Sequence, residues 1–269
     1  MPVPSDGRRL LVVDVGNTQT HFGVFVPESD LVDEHWRFAT NRDSTSDELA
    51  ALLANLLALR SMSLADIGGA IVSSTVPQLY DQWRALGARY LGAEPLVVGP
   101  ALRTGMPIRT ENPHEVGADR LVNAVAAYAK VGSTCVVVDF GTAITYDAVS
   151  ADGEYLGGII TPGVEISLEA LSARAAKLPN VELSEPRAVI GRSTVEAIRS
   201  GIAFGFAGQV EGIIRRLREE LGGQTRVIAT GGFSTVMYPF IRETIDEVDE
   251  LLTLTGLRLI HERNAVGGR

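Results

Sequence analysis

The chain of 269 residues contains a single cysteine, Cys135, which lies within an apolar run. One cysteine excludes an intrachain disulfide, and in apolar surroundings it is more typical of a buried hydrophobic residue than of a nucleophile. The 4 histidines are scattered without the spacing of metal ligands, so that a zinc site is not expected. No apolar run reaches the roughly 18 residues that a membrane-spanning helix needs.

Clusters of basic residues are also missing. Lysine and arginine never occupy more than two consecutive positions, and the formal net charge is −9. Because nucleic-acid binding needs a clustered basic surface, we expect no nucleic-acid partner. Residues 1–9 are short and polar and show no signal peptide, so that we expect no membrane partner and a cytoplasmic location.

The most informative stretch is residues 10–25, LLVVDVGNTQTHFGVF. It begins and ends with apolar runs typical of buried strands, which predicts a β-hairpin. Asp14 ends the first strand, and Asn17 and Thr18 follow in the turn. A carboxylate beside small polar side chains, on a turn that exposes backbone N–H groups, suits a phosphate chain and its Mg²⁺. An ordinary hairpin with polar turn residues would show the same pattern.

A second stretch, residues 135–149 (CVVVDFGTAITYDAV), repeats the first. It has the same run of valines before Asp139 and a glycine two residues later. The ungapped alignment that superimposes Asp139 on Asp14 also superimposes Thr145 on Thr20. Two such hairpins half a chain apart predict an internal duplication. We therefore expect two domains, at residues 1–131 and 132–269.

Strand and helix patterns alternate outside the hairpins, which indicates the α/β class. The expected strands are at 34–40, 69–73, 95–98 and 226–230. The expected helices are at 45–59, 80–90, 121–131, 164–176 and 195–221 and within 233–248, and a turn is expected at Thr255-Gly256. Thr45 and Glu48 have the spacing of a capping box. The helix at 195–221 contains four glycines, which lower its stability unless something packs closely against them.

Two further motifs combine glycine with polar residues. Asp119 and Arg120 fall in the first turn of the helix at 121–131, behind Gly117. A helix cap with a solvated ion pair explains that motif as well as a catalytic role does. The strand at 226–230 ends in Gly231-Gly232, which could admit an adenosine by close approach of the backbone. Two α/β lobes facing each other across a nucleotide cleft would suit phosphoryl transfer, in which positioning and electrostatics do most of the catalysis.

Together, these motifs resemble those of the type III pantothenate kinases, which belong to the acetate and sugar kinase, heat-shock 70 and actin superfamily. The resemblance covers nearly the whole chain. It rests on five motifs in order: Asp14-Val15-Gly16-Asn17-Thr18, Gly117-Ala118-Asp119-Arg120, Asp139-Phe140-Gly141-Thr142, Gly157-Gly158-x-Ile160-x-Pro162-Gly163 and Thr230-Gly231-Gly232. It implies two duplicated actin-like (ribonuclease H-like) domains. It also implies transfer of the ATP γ-phosphate to the primary hydroxyl of pantothenate, the first step of coenzyme A biosynthesis.

The same resemblance implies roles for individual residues. The general base would be Asp119, and Asp14 would lie near the Mg²⁺. A monovalent cation, K⁺ or NH₄⁺, would bind at Asp139, and the protein would be a homodimer. The implied ATP-binding residues are Asp14, Val15, Gly16, Asn17, Thr18, Gln19, Thr20, His21 and Thr142. The implied substrate-binding residues are Gly117, Ala118, Asp119, Arg120 and Thr194.

One position departs from the family pattern. Many members carry an aromatic substrate contact nine residues before the catalytic aspartate, where this chain has Thr110. If the resemblance holds, we expect this position to affect the shape and the affinity of the substrate pocket. A related kinase acting on a sugar or on acetate, and a non-enzymatic accessory factor for gene expression, remain alternative functions at this stage.

The residues themselves give an independent reason to assign a cation to Asp139. One kinase site needs only one strand-end aspartate at its Mg²⁺, so the second is available for another task. It follows an apolar strand, and no basic residue lies between Cys135 and Ser150. A poorly solvated carboxylate is costly unless it finds a cation or shifts its pKa. The alternative is that Asp139 accepts hydrogen bonds from its own turn.

Overall fold

The computed structural model describes residues 7–26, 29–99, 102–175, 178–179, 181–182 and 184–265. Two predictions concern residues outside this part of the chain. They are the absence of a signal peptide, which involves residues 1–6, and the last residue of the helix expected at 164–176. Within it, no helix is long and apolar enough to cross a membrane.

The described residues form two compact units. Unit 1 comprises the chain up to Met106, Glu111–Ala126 and the chain from Leu251 onward, and unit 2 comprises Pro107–Thr110 and Ala127–Glu250. The first elements are β1 (Arg9–Val15), β2 (Gln19–Phe25), β3 (Val32–Ala39), α1 (Ser46–Ala58), β4 (Ile67–Ser74), α2 (Tyr80–Leu86), β5 (Leu96–Val97) and α3 (Ala118–Val131). They are followed by β6 (Cys135–Phe140), β7 (Ala143–Val149), β8 (Tyr155–Pro162), α4 (Val164–Arg174), α5 (Thr194–Leu221), β9 (Arg226–Thr230), α6 (Ser234–Ile241), β10 (Glu247–Val248) and α7 (Leu252–Ala265).

Each unit is built on one five-stranded sheet, and the two sheets have the same topology. The strand orders are β3-β2-β1-β4-β5 and β8-β7-β6-β9-β10. In both, three consecutive antiparallel strands are extended by two parallel strands. The predicted α/β fold of two duplicated actin-like domains is confirmed.

The local sequence explains why these elements form. The central strands β1 and β6 are apolar runs rich in valine and are buried along most of their length on both faces. The core of unit 1 lies between one face of its sheet and helices α1 and α2, around Val13, Phe22 and Trp83. The predicted capping box begins α1: Thr45 Oγ1 accepts from the Glu48 backbone N–H, and the Glu48 carboxylate accepts from the Thr45 N–H.

The two hairpins differ in length by one residue, and this corrects the ungapped alignment. In the first hairpin, Asp14 pairs with His21, whereas in the second Asp139 pairs with Thr145. Thr145 therefore occupies the place of His21 and not that of Thr20. Because neighbouring residues of a strand point to opposite faces, the ungapped alignment equates residues of β2 and β7 whose side chains point to opposite faces of their sheets.

The end of the chain also differs from expectation. Thr255-Gly256 does not form a turn but lies inside helix α7. A Cβ on Gly256 would clash with the backbone of Val122 on α3, so the glycine allows two helices to approach closely. Helix α7 packs on β1, β2 and β4 and belongs to the first compact unit, although the sequence places it in the second predicted domain. The boundary at 131/132 stays a prediction.

Candidate functional site

Asp14 lies at the carboxyl end of β1, between two polar neighbours. Its partner on the parallel strand β4 is Ser73, and its partner on β2 is His21. Directly paired residues project from the same face of a sheet, so these three side chains form a polar row. The Ser73 hydroxyl is fully buried, and no described group hydrogen-bonds to it. A carboxylate and a hydroxyl are the hard oxygen ligands that Mg²⁺ prefers, and this pair fits such an ion.

The turn that follows Asp14 is exposed and is closed by a backbone hydrogen bond. The Gly16 N–H donates to the Gln19 carbonyl over 3.0 Å, which closes the turn and leaves Asn17 and Thr18 at the surface. The Asn17 amide donates to Thr75 Oγ1 over 3.4 Å. The predicted phosphate turn therefore presents polar groups, whereas Val15 is buried in the core of unit 1.

Two residues of the predicted ATP-binding hairpin are withdrawn from its surface. Thr20 is buried, and its hydroxyl forms a 2.9 Å hydrogen bond with that of Thr40. His21 is also buried and lies 3.2 Å from a ring nitrogen of His35. Burial, the charge of Arg37 and the second imidazole lower the pKa of His21 to about 3. His21 is therefore neutral at physiological pH and supplies no positive charge to a phosphate.

Asp119 occupies the first turn of α3, where its carboxylate folds back over Gly117. A Cβ built on Gly117 would stand 2.6 Å from Asp119 Oδ1, so the space beside this glycine is taken by the carboxylate. Burial raises the pKa of Asp119, although hydrogen bonds from backbone N–H groups and the charge of Arg120 oppose the shift. A desolvated carboxylate with a raised pKa has the properties of a general base.

Tyr80, at the start of α2, is hydrogen-bonded to the end of β4 and lies within the electrostatic influence of Asp119. Its hydroxyl donates to the Ser74 carbonyl over 2.8 Å. Burial and the negative charge of nearby Asp119 raise the pKa of Tyr80, so that the phenol stays protonated. Sequence reasoning selected neither Tyr80 nor Ser73. The available signal was the polar run Ser73-Ser74-Thr75 at the end of β4, where β1 has Asp14.

We expect Gly117→Ala to lower kcat by about 10- to 100-fold, because a shift of about 1 Å in a catalytic group can have that effect. The backbone at Gly117 is not left-handed, so alanine is tolerated and only the Asp119 carboxylate must move. The displaced carboxylate should be more solvated, and its pKa should fall. The acidic limb of the pH–rate profile should therefore move to lower pH.

The control for this variant is Gly99→Ala, whose Cβ would meet only the Val97 carbonyl, at 4.0 Å. Turnover and pH profile of the control should match the unmodified protein. An unchanged kcat in Gly117→Ala would show that the position of the carboxylate over Gly117 has no catalytic importance.

In unit 2, Asp139 lies at the carboxyl end of β6, beside Thr230 of β9 and Thr145 of β7. Gly231 follows with φ +90°, and a Cβ there would clash with Asp139 Oδ1 and the Phe140 backbone. The close approach at this glycine is thus to the chain's own carboxylate. The adenosine contact expected at Gly231-Gly232 stays a prediction.

The remaining predicted residues of unit 2 lie on turns and at a helix start. Thr142 is exposed in the turn between β6 and β7, and its carbonyl accepts from the Gly163 N–H over 3.1 Å. Thr194 is the first residue of α5, exposed directly after the N-cap Ser193. The carboxylate of Asp139 is an oxygen ligand of the kind that a monovalent cation accepts.

Thr110 lies in a short segment that pairs with the start of β8. The Arg109 N–H donates to the Tyr155 carbonyl over 2.8 Å, and the Arg109 side chain forms an ion pair with Glu154. Thr110 packs over Gly157, whose Cβ would stand 3.6 Å from its methyl group. Its hydroxyl oxygen is buried and has no hydrogen-bond partner among the described residues. The threonine is therefore held in place by its neighbours on β8.

No group of three or more histidine, cysteine, aspartate or glutamate side chains in the described part of the chain could hold a metal ion. A divalent ion at Asp14 would need ligands from a bound phosphate chain and from water. Mg²⁺ commonly binds in this way in phosphoryl-transfer sites.

Comparison with known proteins gives a family match, a relative of high identity and two solved structures of the same fold. A family model described as type III pantothenate kinase matches residues 10–216. A type III pantothenate kinase from Moorella thermoacetica (strain ATCC 39073 / JCM 9320) is 49% identical over 255 residues, which are 95% of this chain and 99% of that protein. Two solved structures share the fold at low identity.

The first is the activator of the 2-hydroxyisocaproyl-CoA dehydratase from Clostridium difficile with bound ADPNP; the TM-score is 0.53 at 12% identity, covering 96% of each chain. The second is the inorganic polyphosphate/ATP-glucomannokinase from Arthrobacter sp. strain KM; the TM-score is 0.50 at 16% identity, covering 97% of this chain and 99% of that one.

Proposed function

The chain belongs to the type III pantothenate kinase family, and from this premise we propose which residues bind the substrates and which act in phosphoryl transfer. The protein is an ATP-dependent kinase that phosphorylates pantothenate. The observation that supports the assignment of roles best is the buried Asp119 carboxylate, held over Gly117 at the start of α3 with a raised pKa.

In the proposed reaction, Asp119 accepts the proton of the primary hydroxyl of pantothenate, and the oxygen attacks the γ-phosphorus of ATP. The bond from that phosphorus to the bridging oxygen breaks, so that ADP and 4′-phosphopantothenate are formed. Gly117, Ala118 and Arg120 are the proposed substrate-binding neighbours of the base, together with Thr194. The guanidinium of Arg120 can donate several hydrogen bonds to the polar groups of pantothenate.

The turn between β1 and β2 is the proposed phosphate site. Its exposed polar residues would bind the phosphate chain of ATP, and the carboxylate of Asp14 with the hydroxyl of Ser73 would hold a Mg²⁺ ion. When bound, that ion neutralises charge on the β- and γ-phosphates. Thr142 is the proposed ATP contact of unit 2.

Asp139 is the proposed ligand of K⁺ or NH₄⁺. Support comes from its position at a strand end and from Gly231, which leaves room for its carboxylate. A bound monovalent cation would add positive charge to the nucleotide side of the reaction.

We expect turnover to be low in Na⁺ or Tris buffer and to rise when KCl is added at constant ionic strength. Asp139→Asn should remove this response together with most of the turnover, because the amide carries no charge to attract the cation. Glu243→Gln, which removes an exposed charge of the same unit, is the matched control and should respond to K⁺ normally. Equal rates in Na⁺ and K⁺ for the unmodified protein would contradict the assignment.

We also propose a homodimer located in the cytoplasm. The surface of unit 2 supports the dimer: Cβ atoms added at Gly201, Gly205 and Gly208 on α5 would meet no described atom, and Phe204 between them is 38% exposed. The expected close packing against these glycines is thus not made by the described residues. Small residues on an exposed helix face would allow the backbone of a second copy to approach closely.

The experiment that tests the activity is a coupled assay of ADP release from the purified protein, with pantothenate, a hexose and acetate as separate acceptors. Turnover should depend on pantothenate and on Mg²⁺, and the other two acceptors should give only background. Turnover with the hexose or acetate alone would instead indicate a related kinase of the same fold.

A further inference from the structure

Arg42 follows β3 and contacts the tip of the phosphate turn. Its Nη2 group donates to Asn17 Oδ1 over 3.1 Å. The amide nitrogen of Asn17 donates in turn to Thr75 Oγ1 over 3.4 Å. Three segments therefore meet at Asn17: the turn between β1 and β2, the residues after β3, and the end of β4.

The backbone around Arg42 is fixed on both sides. On one side, the Thr40 N–H donates to the Thr18 carbonyl over 2.9 Å, which extends the pairing of β2 and β3. On the other, the Asn41 side chain accepts from the Asp43 N–H over 3.1 Å and forms an Asx turn. A side chain that starts from a fixed backbone loses less conformational entropy when it binds a ligand.

The phosphate turn has no positive charge of its own. Residues 14–21 contain neither lysine nor arginine, and the ring of His21 is buried against His35. Among the described residues, the only hydrogen bond of the Arg42 side chain is the one to Asn17, and no carboxylate pairs with it. A guanidinium has five N–H donors in a planar fork, so that several donors are available to a phosphate.

We propose that Arg42 is a phosphate-binding residue of this site, with its guanidinium donating to non-bridging oxygens of the ATP phosphate chain while Asn17 holds it at the turn. This proposal rests on the function proposed above for the turn between β1 and β2. A chain of net charge −9 repels a polyanionic nucleotide at long range, and a positioned guanidinium offsets that repulsion at contact. Arginine also gives paired, directional hydrogen bonds to phosphate.

A purely structural role for Arg42 would have a different effect. If the side chain only braced Asn17, its loss would loosen the turn and weaken every ligand that depends on the turn, whatever the charge of the ligand. A phosphate-binding role predicts a loss that depends on the phosphates. The comparison of ATP with adenosine separates the two roles.

The test is Arg42→Gln, with binding of ATP and of adenosine measured by calorimetry and KM measured for both substrates. The variant should bind ATP about 10- to 100-fold more weakly, the range of one charge-assisted hydrogen bond. The KM for ATP should rise similarly, whereas adenosine affinity and the KM for pantothenate should stay unchanged. Arg42→Lys keeps the charge and should recover part of the ATP affinity.

The matched control is Arg60→Gln, which removes the same charge from a surface ion pair with Glu34 in the same unit and should leave all four quantities unchanged. Unchanged ATP affinity in Arg42→Gln, or equal weakening of ATP and adenosine, would overturn the proposal. Asp119→Asn in the same series distinguishes a failure of this proposal from a failure of the proposed kinase function. If Asp119→Asn loses turnover while Arg42→Gln binds ATP normally, the kinase assignment stands and only the role of Arg42 is wrong.

Discussion

Asp119→Asn should lower kcat by about 10²–10⁴-fold, the contribution typical of a positioned general base, while ATP still binds. The amide has the size of the carboxylate but cannot accept the proton of the pantothenate hydroxyl. In the unmodified protein, kcat/KM should fall as the pH is lowered through a pKa above the usual range for aspartate, because burial raises the pKa of Asp119 and only its ionised form acts as a base. This acidic limb should be absent from the residual activity of the variant.

Stability measurements distinguish this result from misfolding. A group whose pKa is raised by folding stabilises the protein at low pH and loses that contribution as the pH rises through its folded pKa. At neutral pH the neutral asparagine should therefore be tolerated at least as well as the buried carboxylate, and the midpoint of thermal unfolding should be equal or higher. Asp81→Asn, an exposed position on α2, is the matched control. Near-normal turnover in Asp119→Asn would reject the role of base.

Asp14→Ala should abolish turnover and remove the Mg²⁺-dependent part of nucleotide binding, with the circular dichroism spectrum unchanged. The expectation follows from the position of Asp14 at the strand end, opposite the buried hydroxyl of Ser73. Without the carboxylate, one hydroxyl is too weak a ligand to hold a divalent ion. Calorimetry with ATP, with and without Mg²⁺, measures the effect.

Asp33→Ala is the control for Asp14→Ala, because Asp33 lies on β3 of the same sheet and pairs with Arg9 at the surface. Its activity and its Mg²⁺-dependent ATP affinity should match the unmodified protein. If Asp14→Ala also retained both, the metal-site assignment would be wrong.

Much of the fold could be predicted from the sequence because its signals are local. The β-branched runs before Asp14 and Asp139 predicted the central strands, and the Thr45–Glu48 spacing predicted the capping box that begins α1. The duplication was visible because both runs end in the same aspartate and glycine. The difference in register between the two hairpins could not be predicted, because a single extra residue in the first turn does not disturb the apolar pattern.

Two kinds of feature could not be predicted from the sequence: contacts between distant parts of the chain, and the positions of individual side chains. The sequence pattern of Thr255-Gly256 is that of a turn, and only the contact with Val122 on another helix explains a glycine inside α7. The position of the Asp119 carboxylate over Gly117 is local in sequence but depends on side-chain geometry. Strand pairing places Ser73 beside Asp14, and a hydrogen bond places Arg42 beside Asn17, in each case across a long stretch of sequence. The hydrogen bond of Tyr80 to the Ser74 carbonyl depends on how the chain turns after β4.

Helix α7 has a consequence for how the protein folds during synthesis. It covers one face of β1, β2 and β4, with Leu254 and Leu257 fully buried, and it is made last among these elements. While the ribosome translates residues 127–250, this face of the first sheet remains open to water, although its strands were made long before. The second unit can therefore reach its final packing before the first, and a transcript cut short before Leu252 would release a chain with an exposed apolar sheet for chaperones and proteases to recognise.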